Sequence, residues 1–294
     1  IRSLVLSPAD HSDSYLKMLS VLRKERRWKL IDAYCDRFFS KANSTHVLLS
    51  KLKIMWARGD KHKAVSLLIT INNVFRDDND ESIERAFNNL QIEERKNLIE
   101  FLGIKNYDRM SDIQRITVIK KIKIDHSLDA RLLRIQANWQ YRLYTAKTSS
   151  ATYLIEICKV FKKSLKIKSD DYRTWAGWAY ASSRSLSHFS DKRSEFALNA
   201  IRGFLKATQL RPSESLEYLC QMFSIFFRYG EEVNLPESVK KEIIDLPPSI
   251  INQIVPQIVV HIAHKDPKIK KVVVAIITQF GSHHFQSVVF ALNV

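Results

Sequence analysis

Apolar residues recur at helical spacing along nearly the whole 294-residue chain. In Ala200–Gly230, Ile201, Phe204, Leu205 and Thr208 fall at i, i+3, i+4 and i+7, and Leu216, Leu219, Cys220, Phe223, Phe226 and Phe227 repeat that spacing beyond Arg211-Pro212-Ser213. Each half therefore presents one apolar face to a neighbour. Pro212 cannot continue a helix, Ser213 can cap the next one, and Gly230 suits a left-handed helix end, so the stretch is predicted to be a helical hairpin. The same period marks Tyr15–Leu22, Trp28–Phe39, Val47–Trp56, Lys63–Ile71, Leu128–Arg142, Tyr153–Leu165, Trp175–Phe189 and Phe196–Leu205.

Punctuation divides this series. No proline stands between Ala9 and Arg211, and the glycines are scattered singly, which fits helices with short polar joints. Trp139 and Trp175 are separated by an interval of the order of a tetratricopeptide repeat, about 34 residues, although the full repeat signature is absent. Beyond Leu235, Pro236, Pro247, Pro248, Pro256 and Pro267 punctuate shorter, more aliphatic helices predicted over Ile250–Ala263 and Ile269–Phe280. The expectation is an all-α chain: an α-solenoid of degenerate tetratricopeptide-like hairpins over residues 1–205, followed by HEAT-like repeats over 206–294. Neither part can bury its apolar stripe alone, so stability is expected from neighbour-to-neighbour packing.

Composition narrows the class. The longest aliphatic run, Val272–Ile277, is far short of the roughly 20 residues that span a bilayer, so no transmembrane segment is expected. Cys35, Cys158 and Cys220 are odd in number and far apart, each beside apolar helix-period neighbours; they are read as reduced core residues of an intracellular protein. The chain opens as if mid-domain and reads as a segment of something longer. Net charge is +16, distributed as +4 over residues 1–100, +10 over 101–200 and +2 over 201–294. Such a balance suits nucleic acid, an acidic membrane surface or a polyphosphate, and charge alone does not choose among them.

Enzyme chemistry has little support. No two glycines lie close enough to cradle phosphates, and no His-Arg-Asp or Asp-Phe-Gly element is present, so ATP and Mg²⁺ are not expected to bind this segment. The loop from Arg76 to Ser82 alternates oxygen ligands, but Ser82 stands where a calcium loop needs glycine and Asn88 where it needs a bidentate glutamate; a solvated joint capping a helix from Ser82 onward is expected instead. His261/His264 and His283-His284 lack a companion set of cysteines or carboxylates and are read as structural, with no metal site. Arg58-Gly59-Asp60 is read as a helix joint. Lys159, Lys162, Lys163 and Lys166 form a lysine face opposite Leu154, Ile157, Phe161 and Leu165, either a solvated face or a surface for acidic partners. The stripe of Trp175, Trp178, Ala179, Ser182, Leu186 and Phe189 is expected to be inter-repeat core, facing away from the lysines. Arg131 and Arg134, at i and i+3, present two guanidinium forks to one side, a geometry that matches phosphate oxygens.

The order of residues in the Ala200–Gly230 hairpin, followed by Ile254-Val255-Pro256-Gln257-Ile258 and by Phe280–Gln286, resembles the FAT domain of target of rapamycin (TOR) kinases, members of the phosphatidylinositol-3-kinase-related family. Ile1–Pro8 is similar to the segment opening the same helical array, and Lys53–Trp56 and Asp171–Ala179 are similar to later landmarks. Residues of about 71–125 are not placed in the pattern by these motifs.

The resemblance implies a non-catalytic scaffold segment of a protein serine/threonine kinase, clamping and regulating its own kinase domain in nutrient and growth signalling. It implies TOR-complex subunits as partners, a homodimer of the full-length protein, a cytoplasmic location at endomembrane surfaces or in the nucleus, and no DNA binding. Several TOR-type FAT domains hold inositol hexakisphosphate in a basic pocket, whose landmarks correspond here to Arg2, Lys53, Arg131 and Arg173. Arg173 stands where the family usually has lysine, and Ile135 stands near another pocket lysine, with Arg134 one residue away as a substitute. Phe285 and Ala291 stand where the family favours proline. Two alternatives remain open: the FAT region of another kinase-related protein, of the DNA-damage or transcription-cofactor type, and a free-standing basic helical-repeat scaffold for RNA or protein.

Overall fold

The computed structural model describes residues 12–38, 44–76, 79–104, 109–120, 122, 125–146, 150–233 and 235–292. Among them every regular element is helical, in the all-α, helical-repeat class that the periodicity requires. Two compact units divide after Leu143.

In the first unit the Ser12–Lys24 and Trp28–Phe38 helices lay Leu19 and Ile31 against Val47 and Ile54 of the Thr45–Arg58 helix, with Leu16, Leu22 and Trp28 packed around them. The opposite side of Thr45–Arg58 places Leu48, Leu49 and Leu52 in a second cluster shared with the helices Lys61–Val74, Asp80–Asn88, Ile92–Leu102 and Asp129–Ala146. Trp56 stacks on Trp139 at 4.6 Å between ring centroids. Two polar contacts tie these helices together: Asn72 Nδ2 donates to Gln136 Oε1 at 2.6 Å, and the Asp125 N–H donates to Thr45 Oγ1 at 2.7 Å. Arg58-Gly59-Asp60 is a helix joint. Gly59 takes φ +111°, and the Asp60 and Gly59 amides donate back to Met55 and Trp56 carbonyls, closing the helix in a left-handed cap that glycine alone adopts without strain.

In the second unit the helices Thr152–Ile167, Tyr172–Ser185, Arg193–Leu210 and Ser215–Tyr229 pack each on the next. Asp171 caps its helix by accepting from the Arg173 amide at 3.1 Å and from Thr174 Oγ1 at 2.9 Å. Gly203 lets the second and third of these helices touch: a Cβ there would stand 2.8 Å from the Ala179 Cβ. Ile201, Phe204, Leu205 and Thr208 are all buried, as the spacing predicts.

Several sequence expectations are corrected. Ser213 does not cap; Pro212–Glu214 form a single 3-10 turn, and the helix begins at Ser215, whose side chain is buried. Leu216 and Cys220 face outward, and Met222 and Ile225 take the inner positions. Gly230 is right-handed, at φ −61°; its missing side chain makes room for Ile269, whose atoms lie 3.0 Å from where a Cβ would be. The helix expected over Ile250–Ala263 is two short ones, Pro248–Ile251 and Val255–Val259, because Pro256 cannot donate into a continuous ladder and is tolerated only in a first turn. The helix expected from Ser82 begins at Asp80, capped by Asn79, whose side chain accepts from the Glu81 amide at 3.0 Å. Of the cysteines, only Cys158 is core; Cys35 is half-buried and Cys220 exposed.

A basic pocket between two helix faces

Leu16, Lys17, Leu19, Ser20 and Arg23 follow one face of the Ser12–Lys24 helix, and His46, Leu49, Ser50, Lys53 and Ile54 follow one face of Thr45–Arg58. These two faces, with Arg131 from the first turns of Asp129–Ala146, line a cavity of about 410 Å³. Its floor is aliphatic, since Leu19, Leu49 and Ile54 are buried. Lys17, Arg23, Lys53 and Arg131 line the walls with basic groups, and no carboxylate lines the cavity among the described residues.

Lys53 registers that arrangement most strongly. Burial, then the charges of Arg131, Arg23 and Arg134, push its ammonium pKa down to about 8. Each cause disfavours the protonated form, since burial strips water from the ammonium and three neighbouring guanidiniums repel it. Arg23 is half-buried, and desolvation lowers its pKa too. Among the described residues no carboxylate lies within ion-pair distance of Arg23, Lys53 or Arg131. Burial of Arg23 and Lys53 beside one another and beside Arg131 makes like-charge repulsion costly at this cavity.

Of the residues that sequence reasoning proposed, Lys53 and Arg131 line this cavity and Arg134 bears on it electrostatically. Ile135, beside Arg134, is buried in the core. Arg2 lies outside the described residues. Arg173 belongs to the second unit; it is exposed, and its Nε donates to Tyr172 Oη at 3.1 Å while its guanidinium lies over that ring, a hydrogen bond that raises its pKa further. Sequence reasoning missed Lys17, Arg23 and His46. Their spacing against Leu16, Leu19 and Ser20 marks a mixed helix face, but nothing in a linear pattern shows that this face meets Lys53.

The other candidates resolve simply. Lys159, Lys162, Lys163 and Lys166 are all exposed, opposite buried Leu154, Ile157 and Phe161. Trp178, Ala179, Ser182 and Leu186 are core, but the separation expected between aromatics and lysines fails at one point: Lys162 Nζ lies 5.5 Å from the Trp178 ring centroid, its stem covering the indole. His261 stacks on Phe227 at 3.6 Å and His284 on Phe280 at 5.0 Å. No cluster of metal-ligating side chains forms among the described residues. No helix of the described residues is long and apolar enough to cross a membrane.

Residues 1–224 match the FAT domain family model. The chain belongs to the FAT domain family. Two curated relatives align over the whole chain: the serine/threonine-protein kinase tor1 of Schizosaccharomyces pombe, 21% identical over 317 residues, and the serine/threonine-protein kinase TOR of Arabidopsis thaliana, 22% identical over 315 residues. The chain covers 12% of the length of each. The FAT domain thus matches TOR kinases from end to end, including residues of about 71–125, where the described helices Asp80–Asn88, Ile92–Leu102 and Asp112–Lys120 stand and which motif comparison leaves unplaced.

Proposed function

We propose that this FAT domain is a non-catalytic helical scaffold of a TOR-type serine/threonine kinase, and that its basic pocket holds a compact polyphosphate of the inositol hexakisphosphate class. The clamping of a kinase domain and association with TOR-complex subunits belong to the same reading. The observation that carries the ligand is Lys53, held near pKa 8 by burial and by three guanidiniums at a cavity without a described carboxylate. Arginine forks match phosphate oxygens two at a time, and a compact anion of high charge satisfies several forks at once in a way that a monovalent ion does not. A structural role follows. A polyphosphate held between the Ser12–Lys24 and Thr45–Arg58 helices cross-links segments that otherwise meet through a small apolar cluster.

The test is displacement of labelled inositol hexakisphosphate from this chain by unlabelled ligand, with Arg131→Glu beside the unaltered protein. One saturable site in the unaltered chain, and a loss of at least tenfold in the variant, is the expected outcome; that loss corresponds to about 1.4 kcal/mol or more. Absence of saturable binding removes the polyphosphate from the reading and leaves the scaffold assignment standing on family membership.

A further inference from the structure

We infer that the Ser12–Lys24 helix is itself a ligand-reading wall of the basic pocket, with Arg23 as the residue that grips the phosphate and Lys17 as its supporting charge. The inference rests on the polyphosphate reading above and adds to it residues that no family motif marks.

Three observations carry it. The first is position: Lys17, Ser20 and Arg23 stand at i, i+3 and i+6 on a helix whose Leu16 and Leu19 pack toward the Thr45–Arg58 helix, so the packing that buries the leucines also fixes where the cations point. The second is burial without compensation. Arg23 is half-buried, yet among the described residues no carboxylate reaches it, whereas Arg58 pairs with Asp32 and Lys206 with Glu242 elsewhere in the chain. The third is coupling: the charge of Arg23 is felt at Lys53, on another helix, so the two cations converge on one volume instead of diverging into solvent.

An arginine and a lysine on facing helices, with Arg131 as a third point, form a clamp for an anion bearing phosphates on several sides. Ser20 and Ser50 add neutral donors on the same walls. The arrangement selects charge density over length. A linear polyanion satisfies one wall at a time, whereas a compact one bridges all three. Occupancy is then coupled to the seating of the Ser12–Lys24 helix on Thr45–Arg58.

The experiment compares Arg23→Gln with Lys24→Gln, a loss of equal charge one residue away at an exposed position that does not line the cavity. Inositol hexakisphosphate is titrated calorimetrically into each variant and into the unaltered chain at fixed pH and salt, after thermal melts establish that all three are folded. Arg23→Gln is expected to weaken binding by about tenfold to a hundredfold, the contribution of one charge-assisted hydrogen bond, and Lys24→Gln by less than about threefold. Arg23→Lys should recover part of the loss, and amide exchange across residues 14–24 should slow on ligand addition in the unaltered chain and in Lys24→Gln, but less in Arg23→Gln at the same ligand concentration. Equal weakening by Arg23→Gln and Lys24→Gln overturns the inference, because a general field would then suffice, while saturable binding to the unaltered chain would leave the pocket itself intact. No binding to the unaltered chain overturns both. Should Arg23→Gln fail to fold, Lys17→Gln against Lys24→Gln decides in the same way at the exposed rim.

Discussion

At the scale of single residues, Lys53 shows how a fold can hold a charge at a disadvantage. Its pKa is pushed from the ordinary lysine range to about 8, so between roughly pH 8 and 10.5 the unfolded chain binds a proton that the native chain has released. Stability from this group therefore rises with pH across that window, and below it the full cost of the buried ammonium is present. Lys53→Met removes the cost. Without added polyanion, the variant should melt above the unaltered protein at pH 7, and the gap should narrow steadily toward pH 10. Paired melts at pH 7, 8.5 and 10 measure it, the difference between the two proteins cancelling the titration of every other group. A gap that is constant with pH would mean that Lys53 is not depressed. Cys158 is the contrasting case: burial pushes its thiol up to about 11, against a neutral Ser182 hydroxyl, so it packs as a small apolar group with no part in the site.

At the scale of elements, the hairpins show which parts of a fold a linear pattern carries. Ile201, Phe204 and Leu205 are legible as a buried face because a helix has only one way to bring i, i+3 and i+4 together. The second half of the same hairpin is legible as a helix but not in its facing. Leu216 and Cys220 lie outward while Met222 and Ile225 lie inward, since the neighbour chooses which edge of a broad apolar surface is covered. Pro256 breaks a helix that its aliphatic neighbours favour, a competition that the backbone wins through its missing donor. Gly203 carried no readable signal at all. Its role exists only once Ala179 lies across from it, with the Trp175 carbonyl oxygen 3.0 Å and the Ala179 Cβ 2.8 Å from the site of a Cβ. Gly203→Ala therefore sets a helix-propensity gain of about 1 kcal/mol against an overpacking cost of about 1–3 kcal/mol, and the backbone oxygen has little freedom to retreat. The expected net result is a lower urea midpoint at unchanged slope; a raised midpoint would show that the two helices separate at no cost.

At the scale of the whole molecule, the chain carries two kinds of positive charge, and they predict different behaviour. The exposed lysines at positions 159, 162, 163 and 166 belong to the +10 stretch of residues 101–200 and act as a smooth surface field. The cations around Lys53 are fewer and line one cavity, where Arg23 and Lys53 are partly desolvated. Composition displayed the first kind directly. Of the second, Lys53, Arg131 and Arg134 were within reach of sequence reasoning through motif resemblance and fork spacing, but the wall formed by Arg23 was not, because it depends on a long-range packing of two helix faces. Salt separates the two populations. Single-stranded RNA neutralising exposed lysines releases condensed counterions and loses affinity by orders of magnitude between about 50 and 200 mM salt. At physiological ionic strength exposed charges are screened within about 8 Å, whereas a partly buried cluster in direct contact with its anion is screened less. Replacing the four lysines together by glutamine should therefore abolish RNA retention at low salt and leave inositol hexakisphosphate affinity within about threefold. Arg131→Glu should do the reverse, removing the saturable inositol hexakisphosphate site while shifting RNA affinity little, since it alters the +16 total by two charges. Filter retention of RNA and displacement of labelled inositol hexakisphosphate, on both variants at 50 and 150 mM salt, give four pairs of values. Parallel losses in both assays would show one undivided field, and crossed losses would show a built pocket within a basic surface.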